Sequence, residues 1–264
     1  MHNRRITSNA SSLFVVLAFT YTGCMPGGQG DELGDDAVEQ DIAVAGYSAS
    51  ATASATVAAT TAQIPIAFAA GETLMIGTQG IAGSAFSGDT VLRLRNAALT
   101  DLAVSDDVCG TTGSRLSFTS PVAAVLTVWA GCFANSACGS PTQNVVAVSR
   151  RQGGFAFSTT NTNNATTNTV NQQFFFNGGE VARVSTCGAE ATGASATGDT
   201  FVRLFRNNAG LFTQVATNDN AVSTCGCGSS SLIKFTIPSA GFYEVRAGCA
   251  LNGSCSGSVA IYRE

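Results

Sequence analysis

The sequence predicts an all-β protein built from two tandem β-sandwich repeats, and three observations carry that prediction. A block of roughly a hundred residues occurs twice. Short windows alternate apolar and polar residues with a period of two, while no long window carries a helical period. Gly, Asn, Asp and Ser cluster between those windows, where a chain of short strands needs its turns. Gly88-Asp89-Thr90 with Arg93-Leu94 returns as Gly198-Asp199-Thr200 with Arg203-Leu204. Ser114, Leu116, Phe118 and Pro121 return as Ser231, Ile233, Phe235 and Pro238. Ala130-Gly131-Cys132, with Cys138 beyond, returns as Ala247-Gly248-Cys249, with Cys255 beyond, and Val146–Arg150 matches Val259–Arg263. Agreement between copies within one chain marks what their common fold requires; it does not speak to activity.

Taken in order, residues 1–23 read as an export signal. Arg4 and Arg5 give it a positive start, and Leu13–Phe19 is an apolar run too short to span a bilayer as a helix. Thr22-Gly23-Cys24 resembles the end of a bacterial lipoprotein signal, which implies that Cys24 becomes the lipidated first residue. Tyr21 departs from that pattern, which usually has Leu, Val or Ile there; the alternative is an ordinary cleaved signal. Two or more acyl chains would anchor the protein to a membrane surface. Residues 24–42 read as a flexible acidic linker. Asp31, Glu32, Asp35, Asp36, Glu39 and Asp41 fall within eleven residues that contain no Lys or Arg. Such a segment buries no apolar surface, and its charges repel one another.

Residues 43–150 and 151–264 are the first and second repeats. Tyr47-Ser-Ala-Ser and Phe155-Ala-Phe-Ser read as opening strands, each followed by a run rich in Ala, Thr and Asn. Further along, Leu92 and Leu94 share one face, with Arg93 and Arg95 on the other. Val202 and Leu204 face in, with Phe201, Arg203 and Phe205 facing out. Leu116 and Phe118, then Ile233, Phe235 and Ile237, mark another strand in each repeat. Leu126, Val128 and Ala130 alternate with Thr127 and Trp129; their counterparts Tyr243, Val245 and Ala247 alternate with Glu244 and Arg246. Many short strands, each with one buried face, assemble into a two-sheet sandwich.

Composition narrows the function classes. Charged residues make up 11% and aromatics 8% of the chain, as in exported β-rich proteins more than in cytosolic enzymes. A net charge of −4 without a basic patch argues against nucleic acid, since nothing replaces counterions along phosphates. The only histidine is His2, inside the export signal, so the mature chain has no Ser-His-Asp or Cys-His pair and no His-ligated zinc. Two close acids could still serve a glycosidase, but few acids lie outside the linker and most sit in turns. The expectation is a protein that is not an enzyme.

Eight cysteines remain once Cys24 is set aside from the nine. Cys132/Cys138 and Cys249/Cys255 share one spacing and are expected to close local disulfide loops, each worth about 2 kcal/mol in the chain-entropy model. Cys187 has no counterpart in the first repeat and is expected to pair with Cys225 or Cys227. Cys109 and the remaining one have no partner that the sequence identifies. Cys225-Gly226-Cys227 also reads as a metal site, but disulfide bonding is the expected state in an exported protein.

The order Gly-Asp-Thr-x-h-x-Leu, an Asn/Ser-Asp turn, Ser-x-h-x-Phe-x-x-Pro and Gly-x-Tyr-x-Val resembles the bacterial pre-peptidase C-terminal domain. That family is similar to the collagen-binding domains of secreted collagenases. The resemblance covers most of residues 43–264 and implies jelly-roll-like β-sandwiches. Asn218-Asp219 and Gly241-Phe242-Tyr243-Glu244-Val245 complete the pattern in the second repeat. The first repeat has Ser105-Asp106-Asp107, but Ala124-Val125-Leu126 where Gly-x-Tyr is expected. No peptidase domain accompanies the repeats.

The expected function is therefore non-catalytic: a cell-envelope lipoprotein, in the outer membrane or else secreted, that binds an extracellular polymer or surface protein. Contact with a membrane is expected through the lipid anchor only, and tandem copies would raise avidity. The alternatives are a disulfide-stapled spacer and an accessory subunit of a separate hydrolase. Trp129 and the arginines Arg93, Arg95, Arg203, Arg206 and Arg246 are the candidate ligand surface, since alternation points Trp129 and Arg246 outward; the alternative is that Trp129 packs beneath a neighbouring loop or against the other repeat. Those arginines could equally serve only to keep an outer strand face soluble. Asp89 with Asp106 and Asp107, and Asp199 with Asp219 and Asn220, are candidate calcium ligands, because calcium takes six to eight oxygens from carboxylates, amides and loop carbonyls. The same acids could instead satisfy turn amides.

Overall fold

The computed structural model describes residues 45–47, 62–133, 138, 144–222 and 225–264. The export signal, Cys24 and the acidic linker lie outside these residues. So does most of the run that follows Tyr47. Among the described residues every regular element is a β-strand: β1 Ala45–Tyr47, β2 Ala62–Phe68, β3 Thr73–Gly77, β4 Thr90–Arg95, β5 Asp101–Ser105, β6 Arg115–Thr119, β7 Ala124–Cys132 and β8 Asn144–Thr160. There follow β9 Val170–Phe176, β10 Val181–Ser185, β11 Ser195–Thr197, β12 Thr200–Asn208, β13 Leu211–Asn218, β14 Leu232–Thr236, β15 Gly241–Cys249 and β16 Ser254–Arg263. No helix among the described residues is long and apolar enough to cross a membrane.

Period-two patterning sets the core of each repeat. Leu74, Ile76, Leu92, Leu94, Leu116, Leu126, Val128 and Val148 meet between two sheets in the first. Val184, Val202, Leu204, Ile233, Tyr243, Val245, Val259 and Ile261 do so in the second. Tyr47 and Phe157 enter these cores from the opening strands. One four-stranded sheet belongs to each repeat, β2-β7-β4-β5 and β13-β12-β15-β9. Facing both is a single eight-stranded sheet of order β14-β10-β16-β8-β3-β6, with β1 added to β8 and β11 to β16.

The repeats meet within one strand. The first half of β8 pairs with β1 and β3, and its second half pairs with β16. Arg150 and Arg151, where the sequence divides the repeats, are consecutive residues of that strand. Its first half closes the first sandwich as β16 closes the second, while its second half takes the place that β1 holds in the first. Met75, Ile81, Ala147, Ala191, Ala260 and Tyr262 form an apolar cluster where the repeats adjoin.

Beside that cluster lies a buried ionic network. Arg183 is fully buried; its Nη1 donates to Glu190 Oε2 at 2.9 Å, its Nε to the Glu264 carboxylate and its Nη2 to the Gly80 carbonyl. Arg115 of the first repeat reaches the same Glu190 Oε2 at 3.1 Å, and the Ala82 amide donates to Glu264 Oε2 at 2.8 Å. Burying these charges is costly, but the joint supplies each with a counter-charge and hydrogen bonds.

Four disulfides close. Cys132–Cys138 and Cys249–Cys255 form the two local loops the spacing predicts. Cys187 pairs with Cys227 and not with Cys225, which instead joins Cys109 of the first repeat. The sequence spacing within the second repeat could not show that bond, because it connects repeats. These bonds mark an oxidising compartment, extracellular or in the envelope.

Candidate functional site

Two kinds of candidate site are built on this frame: a cluster of acids beside the Gly-Asp-Thr motif, and the outer face of each four-stranded sheet. The acidic cluster begins with the motif itself. Gly88 and Gly198 take positive φ, 75° and 81°, and a Cβ on Gly198 would meet the Ser254 carbonyl oxygen at 2.6 Å. The motif threonine then turns inward. Thr90 Oγ1 lies 3.1 Å from Thr78 Oγ1 and 3.0 Å from Ser114 Oγ. Thr200 repeats this with Thr186 at 2.9 Å and Ser231 at 3.0 Å. Ser114 Oγ also donates to the Asp106 carbonyl at 2.6 Å, as Ser231 Oγ does to the Asp219 carbonyl at 2.8 Å. This buried hydroxyl knot explains why Thr and Ser recur in both copies: it fixes the acid-bearing loops at their base.

Above the knot, carboxylate oxygens of Asp89, Asp106 and Asp107 lie within 4.8 Å of one another. Asp89 Oδ1, Asp106 Oδ1 and, in the second repeat, Asp219 Oδ1 are shielded from solvent and accept no hydrogen bond among the described residues. The Asp89 and Asp106 carboxyls are pushed above the ordinary range, first by loss of solvent and then by neighbouring acids, Asp107 in both cases. Asp219 is pushed up likewise, by burial and then by Asp199. Turn amides therefore do not use these oxygens up. A set of oxygen acceptors with mutual repulsion fits a hard cation such as calcium. Cys109, Glu190 and Cys225 also converge, but both sulfurs are spent in their disulfide. Cys225 and Cys227 each belong to a disulfide, so Cys225-Gly226-Cys227 is not a metal site.

The outer faces differ sharply between repeats. In the first, Trp129 lies on the outer face as alternation requires, yet it is only 8% exposed. The Arg95 guanidinium lies over its ring at 4.5 Å, and Val91 packs beside it. Arg93 and Arg95 both donate to Asp101, at 2.7 and 2.5 Å, and these bonds hold the Asp101 carboxyl below the ordinary range. Trp129 is thus a covered ring and not an exposed anchor. Alternation fixes the direction of a side chain, but not what its neighbours lay over it.

In the second repeat, cross-strand pairing sets three rows on the outer face. Phe175 stands beside Phe242; Gln173, Glu244, Phe205 and Gln214 form the next row, and Asn171, Arg246, Arg203 and Thr217 the third. Phe175 and Phe242 are 43% and 53% exposed and meet edge to face at 5.4 Å. Phe212 is 39% exposed. Asn207 Nδ2 donates to Gln173 Oε1 at 3.0 Å, Gln173 Nε2 to Glu244 Oε2 at 3.3 Å, and Arg246 Nε to Glu244 Oε1 at 2.7 Å. Arg246 also lies over Phe205 at 4.0 Å. Arg203 donates to the Asn164 carbonyl at 2.7 Å and to Gln214 Oε1 at 2.5 Å. Arg206 pairs with the core residue Tyr243, off this face.

Of the predicted arginines, only Arg203 and Arg246 therefore join the aromatic face. Phe175, Phe242, Gln173 and Asn207 were missed. The signal for β9 was the alternation in Val170–Phe176, obscured because three phenylalanines in succession hide which of them faces out. In the first repeat the positions of Phe175, Phe242, Gln173 and Glu244 hold Ala67, Val125, Pro65 and Thr127.

The chain matches no family model and no curated protein. Among solved structures it is similar to the CBM22-1–CBM22-2 tandem domain from Paenibacillus barcinonensis Xyn10C, at 9% identity over 76% of this chain and 82% of that one, TM-score 0.25. The major capsid protein P2 from bacteriophage PM2 matches at 8% identity over 84% and 96%, TM-score 0.25. The infectious bursal disease virus VP2 subviral particle matches at 12% identity over 82% and 65%, TM-score 0.19. Likeness at this level carries nothing about function, and the β-sandwich reading rests on the chain's own sheets and cores.

Proposed function

We propose that this chain is a non-catalytic binding protein of the bacterial cell envelope, anchored through Cys24, with residues 24–42 as a flexible linker. Its second repeat binds an extracellular polymer or surface protein. One observation carries the reading: the outer face of β9, β15, β12 and β13 exposes a phenylalanine pair beside an ordered polar network. Exposed aromatic side chains backed by fixed polar groups favour recognition, because the apolar area is gained without ordering new rotamers. Calcium at Asp89, Asp106 and Asp107, and at Asp199 and Asp219, is proposed as a loop-stabilising ion. The absence of histidine beyond His2 supports a non-catalytic role.

A second reading, a rigid spacer, has its own support in the shared β8, the Cys109–Cys225 bond and the buried Arg183 network. Co-sedimentation of the full chain with insoluble collagen, cell-wall material and polysaccharides separates the two. Selective retention is expected from a binding protein; passage through every material leaves the spacer.

A further inference from the structure

The outer face of the second repeat also indicates what kind of ligand it takes, an inference that rests on the binding role proposed above. This is a sheet face and not a sheet edge. β15 lies between β12 and β9 and is paired with both along its length. Its backbone groups are thus spent inside the sheet, and an extended peptide cannot add itself there as a strand. Whatever packs on the face over β15 is recognised there by side chains.

Those side chains are of two kinds, set next to each other. Phe175 and Phe242 offer exposed apolar surface, their rings set edge to face. Beside them, Gln173 and Asn207 offer amides, each with donor and acceptor capacity. Both amides are held in place. Asn207 Oδ1 accepts from the Gly210 amide at 2.8 Å while its Nδ2 donates to Gln173. Gln173 in turn donates to the nearly buried Glu244, which Arg246 holds from its other oxygen. One amide hydrogen and one lone pair of Gln173 stay available, and its orientation is fixed before any ligand arrives.

A pyranose ring presents the matching chemistry. One of its faces is a patch of C–H groups that packs on an aromatic ring, and its rim carries hydroxyls that each donate and accept. With neighbouring strands about 4.8 Å apart, the four strands make a plate about 15 Å across, enough for several linked rings. The charge balance agrees: Glu244 offsets Arg246, and Arg203 remains with neutral oxygen partners. The face therefore suits a neutral or uronate-bearing chain and opposes a cationic one. We infer that the outer face of β9, β15, β12 and β13 binds a polysaccharide, with a sugar ring packed against the Phe242–Phe175 pair and Gln173 and Asn207 on its hydroxyls. Glu244 and Arg246 act as positioning residues. The first repeat, with Ala67, Val125, Pro65 and Thr127 in the corresponding places, does not share the site.

The test is retention of the full chain on cellulose, chitin, xylan and polygalacturonate, with insoluble collagen alongside. Phe242→Ala, Gln173→Ala and Val125→Ala are run beside the wild type. All three side chains are exposed, and circular dichroism checks that each variant folds. Retention on at least one polysaccharide is expected, about tenfold weaker for Phe242→Ala and Gln173→Ala and unchanged for Val125→Ala. Retention on collagen alone would overturn the ligand class and leave the binding role standing. Polysaccharide retention indifferent to both substitutions would overturn the site. Passage through every material would overturn both inferences.

Discussion

Cys109 and Cys225 join the acid-bearing loop of the first repeat to the acid-bearing loop of the second. Arg115 Nη2 lies 3.4 Å from one sulfur and 3.3 Å from the other, and the same nitrogen donates to the Ala189 carbonyl at 2.7 Å. Together with the shared β8 and the common Glu190, this bond makes the pair of repeats one mechanical unit.

Removing that bond has a calculable cost. It closes a loop with a sequence separation of 116 residues, the largest of the four, and chain entropy sets its upper contribution at about 5 kcal/mol. We expect the double substitution Cys109→Ser and Cys225→Ser to lower stability by about 2–4 kcal/mol, while Cys132–Cys138, Cys187–Cys227 and Cys249–Cys255 still form. Urea unfolding with non-reducing peptide mapping measures both; an unchanged midpoint would mean the other contacts hold the repeats together unaided.

How much of this was legible in the sequence depends on the range of the contact. Leu92, Leu94, Val202 and Leu204 lie in the cores because period-two patterning is local, and the seven-residue cysteine loops were local too. The hydroxyl knot was visible as recurring Thr and Ser, but its bonding was not, since Thr90 meets partners 12 and 24 residues away. Cys109–Cys225 and the Arg183 network join one repeat to the other, and a repeat pattern reports only what the copies share. Of the two readings of Trp129 the covered one holds, though its cover comes from Arg95 and Val91 of β4 and not from a loop or the other repeat. Trp129 and Arg246 occupy equivalent positions, as do Arg95 and Phe205, so the same cation–π pair forms in each repeat with its partners exchanged. The alignment of Trp129 with Arg246 showed an outward direction but not that each is half of a stacked pair.

Arg183 occupies the place that Met75 holds in the first repeat. Arg183→Met would leave the buried Glu264 carboxylate without its guanidinium partner. We expect a loss of about 3–5 kcal/mol, because an uncompensated buried charge costs more than the pair contributes. Adding Glu264→Gln should recover part of that loss, since the stranded charge is then gone. Chemical denaturation of the two variants decides it; equal losses would mean that packing and not charge governs the joint.

Trp129 is the only tryptophan and so reports on its own cover. Its fluorescence in the folded chain should be blue-shifted, as for a ring shielded from water. Arg95→Ala should move the emission to the red and reduce stability by about 1 kcal/mol, the scale of a cation–π contact with some shielding. Emission already at the solvent-exposed wavelength in the unmodified chain would contradict the stacked arrangement.

The clustered acids give the protein's stability a pH dependence of definite sign. Asp89, Asp106 and Asp219 have folded-state values raised by burial and then by neighbouring acids. A raised carboxyl binds its proton more tightly in the folded than in the unfolded state, so protonation favours folding. Their contribution is greatest below the unfolded value of about 4 and is lost as pH climbs through the raised folded values. Asp101 is lowered, so its own effect appears only below that range and does not blur the window. In chelator, the contribution of these carboxyls to the melting temperature should therefore rise as pH falls from 7 towards the unfolded value of about 4. Calcium should raise the midpoint at pH 7 and flatten that slope, because a divalent ion replaces the missing protons as counter-charge for the same oxygens. Asp106→Asn, which removes one repelling charge, should raise the pH 7 midpoint in chelator and weaken the response to calcium. A midpoint indifferent to calcium, with the chelator slope intact, would show three repelling acids and no ion site.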